Sequence, residues 1–138
     1  MRYLVDSCIR MDLKEDRADR LRPLAEWAFR FFQKATVEEA LIFYTDFTEI
    51  EIMKNYKVKN VGLVFVYAVN DYPLLKRIEV NQKQYHEASL LSKIRNVPFG
   101  DALNAVVARD LSAIVVTRDH HFEDLQDIVI SKKPEELI

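Results

Sequence analysis

The sequence VPFGDALNAVVARDLSAIVVTRDHHF, residues 97–122, decides the fold class of this chain. A Pro-Phe-Gly turn precedes Asp101, and apolar residues at 102–108 follow with helical spacing, which predicts a helix that opens at Asp101. The next apolar run, residues 113–116, is continuous and rich in β-branched residues, as in a fully buried strand. A helix that leads into such a strand is half of a βαβ unit. We therefore predict a mostly parallel sheet.

Acidic residues stand at the carboxyl ends of two predicted strands. Asp119 follows the strand at 113–116, and Asp6 follows a short apolar strand at 2–5. In open parallel sheets, ligands bind outside the carboxyl ends of the strands. Asp6 would also suit the cap of a following helix, and Asp119 a turn. From these two elements alone, a functional and a purely structural interpretation both stay open.

The remaining segments complete an alternating order of strands and helices. We predict a helix at 21–34, a strand at 40–44, a helix ending at 54, a strand at 77–80, a helix at 82–94 and a strand at 128–130 before a charged tail. Residues 61–69 fit a buried strand or a buried helix. The fold class is thus α/β, a three-layer αβα arrangement around a central, mostly parallel sheet of about five strands.

Composition limits the classes of function and the compartment. Twenty Lys and Arg residues against 22 Asp and Glu residues give a net charge of -2, so nucleic-acid binding would need a local basic patch or metal-bridged phosphate contacts. A single cysteine, Cys8, excludes an intramolecular disulfide framework and favours a reducing compartment. The N-terminal apolar run is short for a signal peptide, and residues 61–69 are too few to span a membrane. We expect a cytoplasmic protein with no membrane contact.

The helix that follows the strand at 40–44 carries three acids. Glu49 and Glu51 lie roughly 200° apart around the helix axis and cannot share a face. Asp46 and Glu49 suit the positive end of the helix dipole. Glu51, between Ile50 and Ile52, is expected to point inward, where an acid needs a partner, a proton or a metal.

The chain resembles the PIN domains and, within that family, the VapC-type toxin ribonucleases of toxin–antitoxin pairs. The matching segments are Asp6-Ser7, TDFTEIE with Glu51, VPFGDALNAVVA with Asp101 and VVTRDHHF with Asp119. They cover nearly the whole chain, so the resemblance implies a single PIN-like domain over residues 1–138. It also implies a Mg²⁺- or Mn²⁺-dependent endoribonuclease that hydrolyses RNA, is neutralised by an antitoxin and forms a homodimer.

The resemblance assigns roles by matching position. The residues that inherit the catalytic and metal-ligand role are Asp6, Glu51, Asp101 and Asp119, with Glu49 competing for the second position. The residues in supporting positions are Ser7, Asn104 and Thr117. Basic residues near the acidic edge are candidates to bind RNA phosphates, and these are Arg10, Lys14 and Arg118. Acids from separate elements can hold one or two ions and leave an open face for a phosphodiester.

Some residues of the chain also permit interpretations other than a metal-dependent nuclease. Adjacent His120 and His121 beside an acid could bind Zn²⁺, but neighbours in a turn are expected to point apart, and the sequence has no further ligand at suitable spacing. Apolar residues at Trp27, Phe31 and 61–69 suggest the homodimer surface. The alternative functions are a PIN-like nuclease of RNA processing or DNA repair without an antitoxin, and a catalytically silent PIN-like binding module.

Overall fold

The first strand of the chain, β1 (Arg2–Val5), lies at the centre of a parallel sheet. The computed structural model describes residues 1–9, 23–55 and 74–138, apart from the side chains of Ile52, Met53 and Asn55. These ranges contain five strands in the order β3-β2-β1-β4-β5, and every neighbouring pair is parallel. The other four strands are β2 (Leu41–Thr45), β3 (Leu75–Ile78), β4 (Ile114–Val116) and β5 (Ser131–Lys132).

Helices cover both faces of the sheet. They are α1 (Leu24–Val37), α2 (Asp46–Asn55), α3 (Gln82–Arg95) and α4 (Phe99–Asp110), with 3₁₀ helices at His120–Leu125 and Pro134–Glu136. Successive side chains of a strand point to opposite faces. Accordingly, Leu4 packs into the core with α3 and α4, whereas Tyr3 and Val5 pack into the core with α1. The predicted three-layer α/β fold with a parallel sheet of about five strands is confirmed.

Helices α3 and α4 form a firmly connected pair. The α3 helix ends at Asn96, which takes the left-handed conformation (φ 52°), and α4 begins after Pro98. Arg109 near the end of α4 donates two hydrogen bonds of 2.7 Å to the carboxylate of Glu87 on α3. Such bidentate pairing fixes geometry as well as charge. The pair therefore supports the helix whose first turn carries Asp101.

The C-terminal segment differs from the prediction in two elements, the last strand and the charged tail. The last strand is β5 (Ser131–Lys132), because the N–H groups of Ile128 and Val129 both donate to the Leu125 carbonyl and close a helical turn. Pairing with β4 begins only where the Ile130 carbonyl accepts the Val115 N–H, at 2.9 Å. Strand β5 and the 3₁₀ helix that follows it thus lie within the predicted charged tail.

The apolar face of α1 also differs from the expected one. Phe31 is buried and packs edge-to-face on Tyr3, with ring centroids 5.1 Å apart, whereas Phe29 is 53% exposed. The buried residues of α1 fall at Ala25, Ala28 and every third or fourth position beyond, which places Phe31 on the core side. Phe31 therefore belongs to the core and does not contribute to a dimer surface. The other apolar segment, 61–69, lies outside the described residues.

No helix in the described part of the chain is long and apolar enough to cross a lipid bilayer.

Candidate active site

The carboxyl ends of β1, β2 and β4 meet at one edge of the sheet. Strand β1 lies between β2 and β4, so chain segments that leave these three strands emerge side by side. Asp6 directly follows β1, helix α2 begins directly after β2, and Asp119 lies three residues beyond β4. The α/β topology that produces this convergence is the one that places ligands beyond the strand ends in other parallel sheets.

Asp6 is held on both of its carboxylate oxygens. Its Oδ1 accepts the backbone N–H of Ser7 at 2.7 Å, and its Oδ2 accepts the hydroxyl of Thr117 at 2.8 Å. Burial raises the pKa of Asp6 and the charge of Asp119 adds to the rise, although the hydrogen bonds oppose it. The bond to Ser7 is a local cap-like contact, but the bond to Thr117 joins β1 to the segment after β4. Asp6 is therefore more than a helix-start residue.

Asp101 and Asp119 lie close to each other, and their pKa values are shifted in opposite directions. Burial first, then the charges of Asp6 and Asp119, raise the pKa of Asp101 to about 8. Burial also acts to raise the pKa of Asp119, but hydrogen bonds from the His121 N–H and with Asp101 outweigh it and hold that pKa below its usual value. The pKa values of the two carboxyls are thus shifted in opposite directions, as expected of two acids that share a site.

Glu51 faces the same group of acids. Burial, followed by the charges of Asp6 and Asp119, raises the pKa of Glu51 to about 7. Glu49 lies elsewhere, because its Oε1 accepts a hydrogen bond of 3.0 Å from Arg77 on β3. Of the two candidates for the second acidic position of the site, Glu51 is the one whose pKa is raised in part by the charges of Asp6 and Asp119.

Gly100 allows α2 and α4 to approach each other at this point. A Cβ atom at Gly100 would lie 3.1 Å from Oε2 of Glu51 and 3.0 Å from the ring of Phe47. Phe47 also packs edge-to-face on Phe99, with ring centroids 5.6 Å apart. Gly100 therefore lies inside the first turn of α4, where it makes room for Glu51, and is not only part of a preceding turn.

The predicted supporting residues are all buried. Thr117 connects two of the acids, since its hydroxyl donates to Asp6 and accepts the Asp119 N–H at 3.0 Å. The Ser7 hydroxyl lies 3.4 Å from Asp6 Oδ1. Asn104 is one turn after Asp101 on α4, and its buried side-chain amide has no hydrogen-bond partner among the described residues. Their burial agrees with supporting positions; the roles themselves stay predictions.

His121 is a member of the site that the sequence interpretation missed. Its Nδ1 lies 2.6 Å from Oδ1 of Asp119 and 3.2 Å from Oδ2 of Asp101. In the described ranges, Asp119, His120 and His121 form a group whose possible metal-ligand atoms all lie within 4.8 Å of one another. The expectation that the histidines point apart is wrong: their rings lie 4.1 Å apart because a 3₁₀ helix begins at His120.

The three residues predicted to bind RNA have different outcomes. Arg10 and Lys14 lie outside the described residues. Arg118 donates two hydrogen bonds, of 2.8 and 2.9 Å, to Glu135 and lies 5.5 Å from the ring centroid of Trp27. A phosphate would have to compete with Glu135 for this guanidinium. The signal that could have shown this pairing is Glu135 itself, in the segment interpreted as a tail.

A cleft of about 300 Å³ opens beside Asp119. Thr117, Asp119 and His120 line one part of it, and Lys132 and Lys133 at the end of β5 line another. These two lysines were predicted to belong to the charged tail. The pairing of β5 with β4 carries them to the acidic edge.

Comparison with known proteins gives a fold match only. No protein-family model matches the sequence, and no curated protein sequence does. Among solved structures, a chain of VapBC2 from Rickettsia felis, bound to a promoter DNA fragment, has a TM-score of 0.67 and 15% identity, over 96% of this chain and 98% of that one. A toxin–antitoxin complex from Klebsiella pneumoniae gives 0.63 and 19%, over 96% and 97%. FitAcB from Neisseria gonorrhoeae gives 0.63 and 16%, over 96% and 97%. These likenesses show that the chain shares its fold with chains of these complexes, in agreement with the predicted three-layer α/β architecture.

Proposed function

We propose that this chain is a Mg²⁺- or Mn²⁺-dependent endoribonuclease that hydrolyses RNA phosphodiester bonds and acts as the toxin of a toxin–antitoxin pair. The observation that carries the proposal is the convergence of four acids, from four separate segments, at the carboxyl edge of one parallel sheet: Asp6, Glu51, Asp101 and Asp119. The toxin role is supported by the fold, since the similar chains come from complexes described as toxin–antitoxin pairs.

The donor set fits a hard divalent cation. Glu51 Oε1 and Asp101 Oδ2 are both shielded from solvent without a hydrogen-bond partner in the described part of the chain. Buried carboxylate oxygens without partners are costly. Oxygen ligands are those that Mg²⁺ and Mn²⁺ prefer, and a few carboxylates are enough because substrate phosphate and water complete the shell. A bound cation would therefore give these oxygens the partner that they lack.

The protein's own residues hold and orient the reacting groups. When bound, the ion makes water a stronger nucleophile and offsets the charge of the phosphodiester. The hydrogen bonds of Thr117 fix Asp6 and the Asp119 backbone relative to each other, so that these acids are positioned before substrate binds. Lys132 and Lys133 line the cleft beside Asp119, where they would neutralise phosphates that flank the cleaved bond.

The test is cleavage of a mixed RNA pool by the purified protein in the presence of Mn²⁺. We expect wild type to cleave, EDTA to stop the reaction, and Asp6→Asn to lower the rate by at least about 100-fold, more than the usual loss for an outer-shell partner. Glu49→Gln is the matched control, because it removes a carboxylate that pairs with Arg77 outside the group of acids. Absence of cleavage by wild type, or equal cleavage by Asp6→Asn, would contradict the proposal.

The antitoxin and the homodimer are separate parts of the proposal. A short open reading frame directly upstream, whose product binds this chain and inhibits cleavage, would support the antitoxin. Cleavage without such a partner would favour a PIN-like nuclease of RNA processing or DNA repair, and RNA binding without cleavage a silent binding module. Light scattering at micromolar concentration tests the homodimer, and a monomeric mass would rule it out.

Thr117→Val tests the positioning of the acids. Removing the hydroxyl takes away the short hydrogen bond to Asp6 Oδ2 and the acceptor of the Asp119 N–H. We expect Mn²⁺ affinity, measured by calorimetric titration, to fall about 10–100-fold, the usual loss for an outer-shell partner. Thr117→Ser restores the hydroxyl and should stay close to wild type. Equal loss in both variants would indicate a packing defect.

A further inference from the structure

His121 brings a nitrogen atom into contact with two of the proposed metal ligands. Its Nδ1 lies 2.6 Å from Asp119 Oδ1 and 3.2 Å from Asp101 Oδ2. Both Nδ1 and Asp101 Oδ2 are shielded from solvent, and within the described ranges neither makes a hydrogen bond of suitable geometry in spite of these short separations. Asp101 is itself 8% exposed. Two buried polar atoms thus lie at ion-pair distance from each other without a hydrogen bond of suitable geometry between them.

The three atoms have the spacing of neighbouring ligands on one ion. Metal–nitrogen and metal–oxygen distances of about 2.0–2.2 Å place adjacent ligands roughly 3 Å apart. The separations of 2.6 and 3.2 Å lie on either side of that value. The separations of Nδ1 of His121 from one oxygen of each acid therefore match two edges of a coordination shell.

The local backbone explains why His121 reaches this position. The 3₁₀ helix His120–Leu125 begins directly after Asp119, whose Oδ1 accepts the His121 N–H at 3.0 Å. Phe122, the next residue, is 1% exposed and belongs to the core, so it anchors the turn. His120, whose side chain is 79% exposed, lies against His121 with ring centroids 4.1 Å apart. The backbone hydrogen bond to Asp119 and the contact with the neighbouring ring thus hold the imidazole of His121 beside the two acids.

We propose that His121 is a nitrogen ligand of the metal centre and makes the site select Mn²⁺ and other transition ions, such as Co²⁺, over Mg²⁺. This inference rests on the proposed function, in which Asp101 and Asp119 hold a divalent ion. Carboxylate and water oxygens suit Mg²⁺, whereas imidazole suits transition metals, and affinity rises from Mn²⁺ through Co²⁺ for a given mixed site. An all-oxygen set would favour the transition ions over Mg²⁺ less strongly.

The experiment measures metal binding by the full chain without RNA. Calorimetric titrations with MgCl₂, MnCl₂ and CoCl₂ compare wild type with His121→Gln and with His86→Gln, which removes an exposed histidine on α3. We expect His121→Gln to weaken Mn²⁺ and Co²⁺ binding by at least about tenfold, the lower end of the loss for outer-shell partners. Mg²⁺ binding should change less than that, and His86→Gln should match wild type in all three titrations.

A spectroscopic measurement on wild type does not depend on the folding of any variant. Pulsed electron paramagnetic resonance of the Mn²⁺-loaded protein detects magnetic coupling to a directly bound nitrogen. We expect that coupling in wild type, with the change of pattern that ¹⁵N-histidine labelling produces, and its absence in His121→Gln.

The outcomes separate the two proposals. If Mn²⁺ binds without nitrogen coupling, or if His121→Gln keeps the wild-type ratio of Mn²⁺ to Mg²⁺ affinity, the assignment of His121 is wrong and the nuclease proposal is untouched. If no ion binds, the assignment of His121 and the metal dependence of the proposed nuclease are both wrong. Nitrogen coupling in a protein that cleaves no RNA would support His121 as a ligand and contradict the proposed activity.

Discussion

Asp101→Asn is expected to abolish the stabilisation that Mn²⁺ gives this protein, while the metal-free variant is at least as stable as wild type at pH 8. Burial and the charges of Asp6 and Asp119 disfavour the ionised form of Asp101, whose pKa they raise to about 8. A neutral amide of the same size removes this penalty. It also removes a ligand. The same substitution should therefore stabilise the metal-free protein and remove one ligand of the ion.

The size of the effect follows from binding linkage. An ion at 100 times its dissociation constant stabilises the folded state by about 2.7 kcal/mol. For a chain of 138 residues this corresponds to a rise in melting temperature of roughly 10 °C. We expect that rise in wild type and in Glu49→Gln, and almost none in Asp101→Asn, by circular dichroism with and without Mn²⁺. If Mn²⁺ leaves the wild-type melting curve unchanged, or raises the melting temperature of Asp101→Asn as much as that of wild type, the proposed metal site is contradicted.

The metal-free protein is expected to lose stability as the pH rises from about 4 to about 8. The pKa values of Glu51 and Asp101 are raised to about 7 and about 8, above their ordinary values of 4.5 and 3.8. Between the unfolded and folded values the folded state binds more protons, so unfolding becomes easier with increasing pH. The stabilisation that these two groups contribute to the free energy of unfolding is fully present below about pH 4 and is lost as the pH rises through about 7 to 8. Asp119, whose pKa is lowered, acts in the opposite sense only at more acidic pH.

The measurement is urea unfolding at pH 5.5 and pH 8.5, with and without Mn²⁺. Because carboxylates must lose their protons to bind metal, the stabilisation by Mn²⁺ should be larger at pH 8.5. The double variant Glu51→Gln/Asp101→Asn should show a much smaller decline in the metal-free state, and Glu49→Gln should follow wild type. If the double variant declines as steeply as wild type, the titrating groups lie elsewhere.

The parts of the fold that a local pattern encodes could be predicted. The buried run of β4 and the helical spacing of α4 each lie in one continuous segment, so periodicity was enough to place them and the acids at their ends. Strand β5 could not be placed in this way. It has only two residues, and its position depends on pairing with β4 rather than on its own apolar content.

The contacts that define the site depend on distant parts of the chain. Glu49 is paired with Arg77 on β3, 28 residues away, which favours Glu51 for the second position, and no helical pattern contains that information. Arg118 likewise pairs with Glu135, which lies 17 positions away and is not connected to it by any local pattern. His121 was missed because its position depends on the 3₁₀ turn that Asp119 caps, whereas the sequence predicted only a turn with diverging side chains.

The pairing of β1 with β4 has a consequence for biosynthesis. Asp6 is synthesised well before the hydroxyl that holds it, which belongs to Thr117, 111 positions later. A nascent polypeptide that ends before β4 has neither Thr117 nor Asp119, and its central strand lacks one neighbour. Whatever reactivity these carboxylates support therefore arises only after β4 and the residues up to Asp119 have been synthesised.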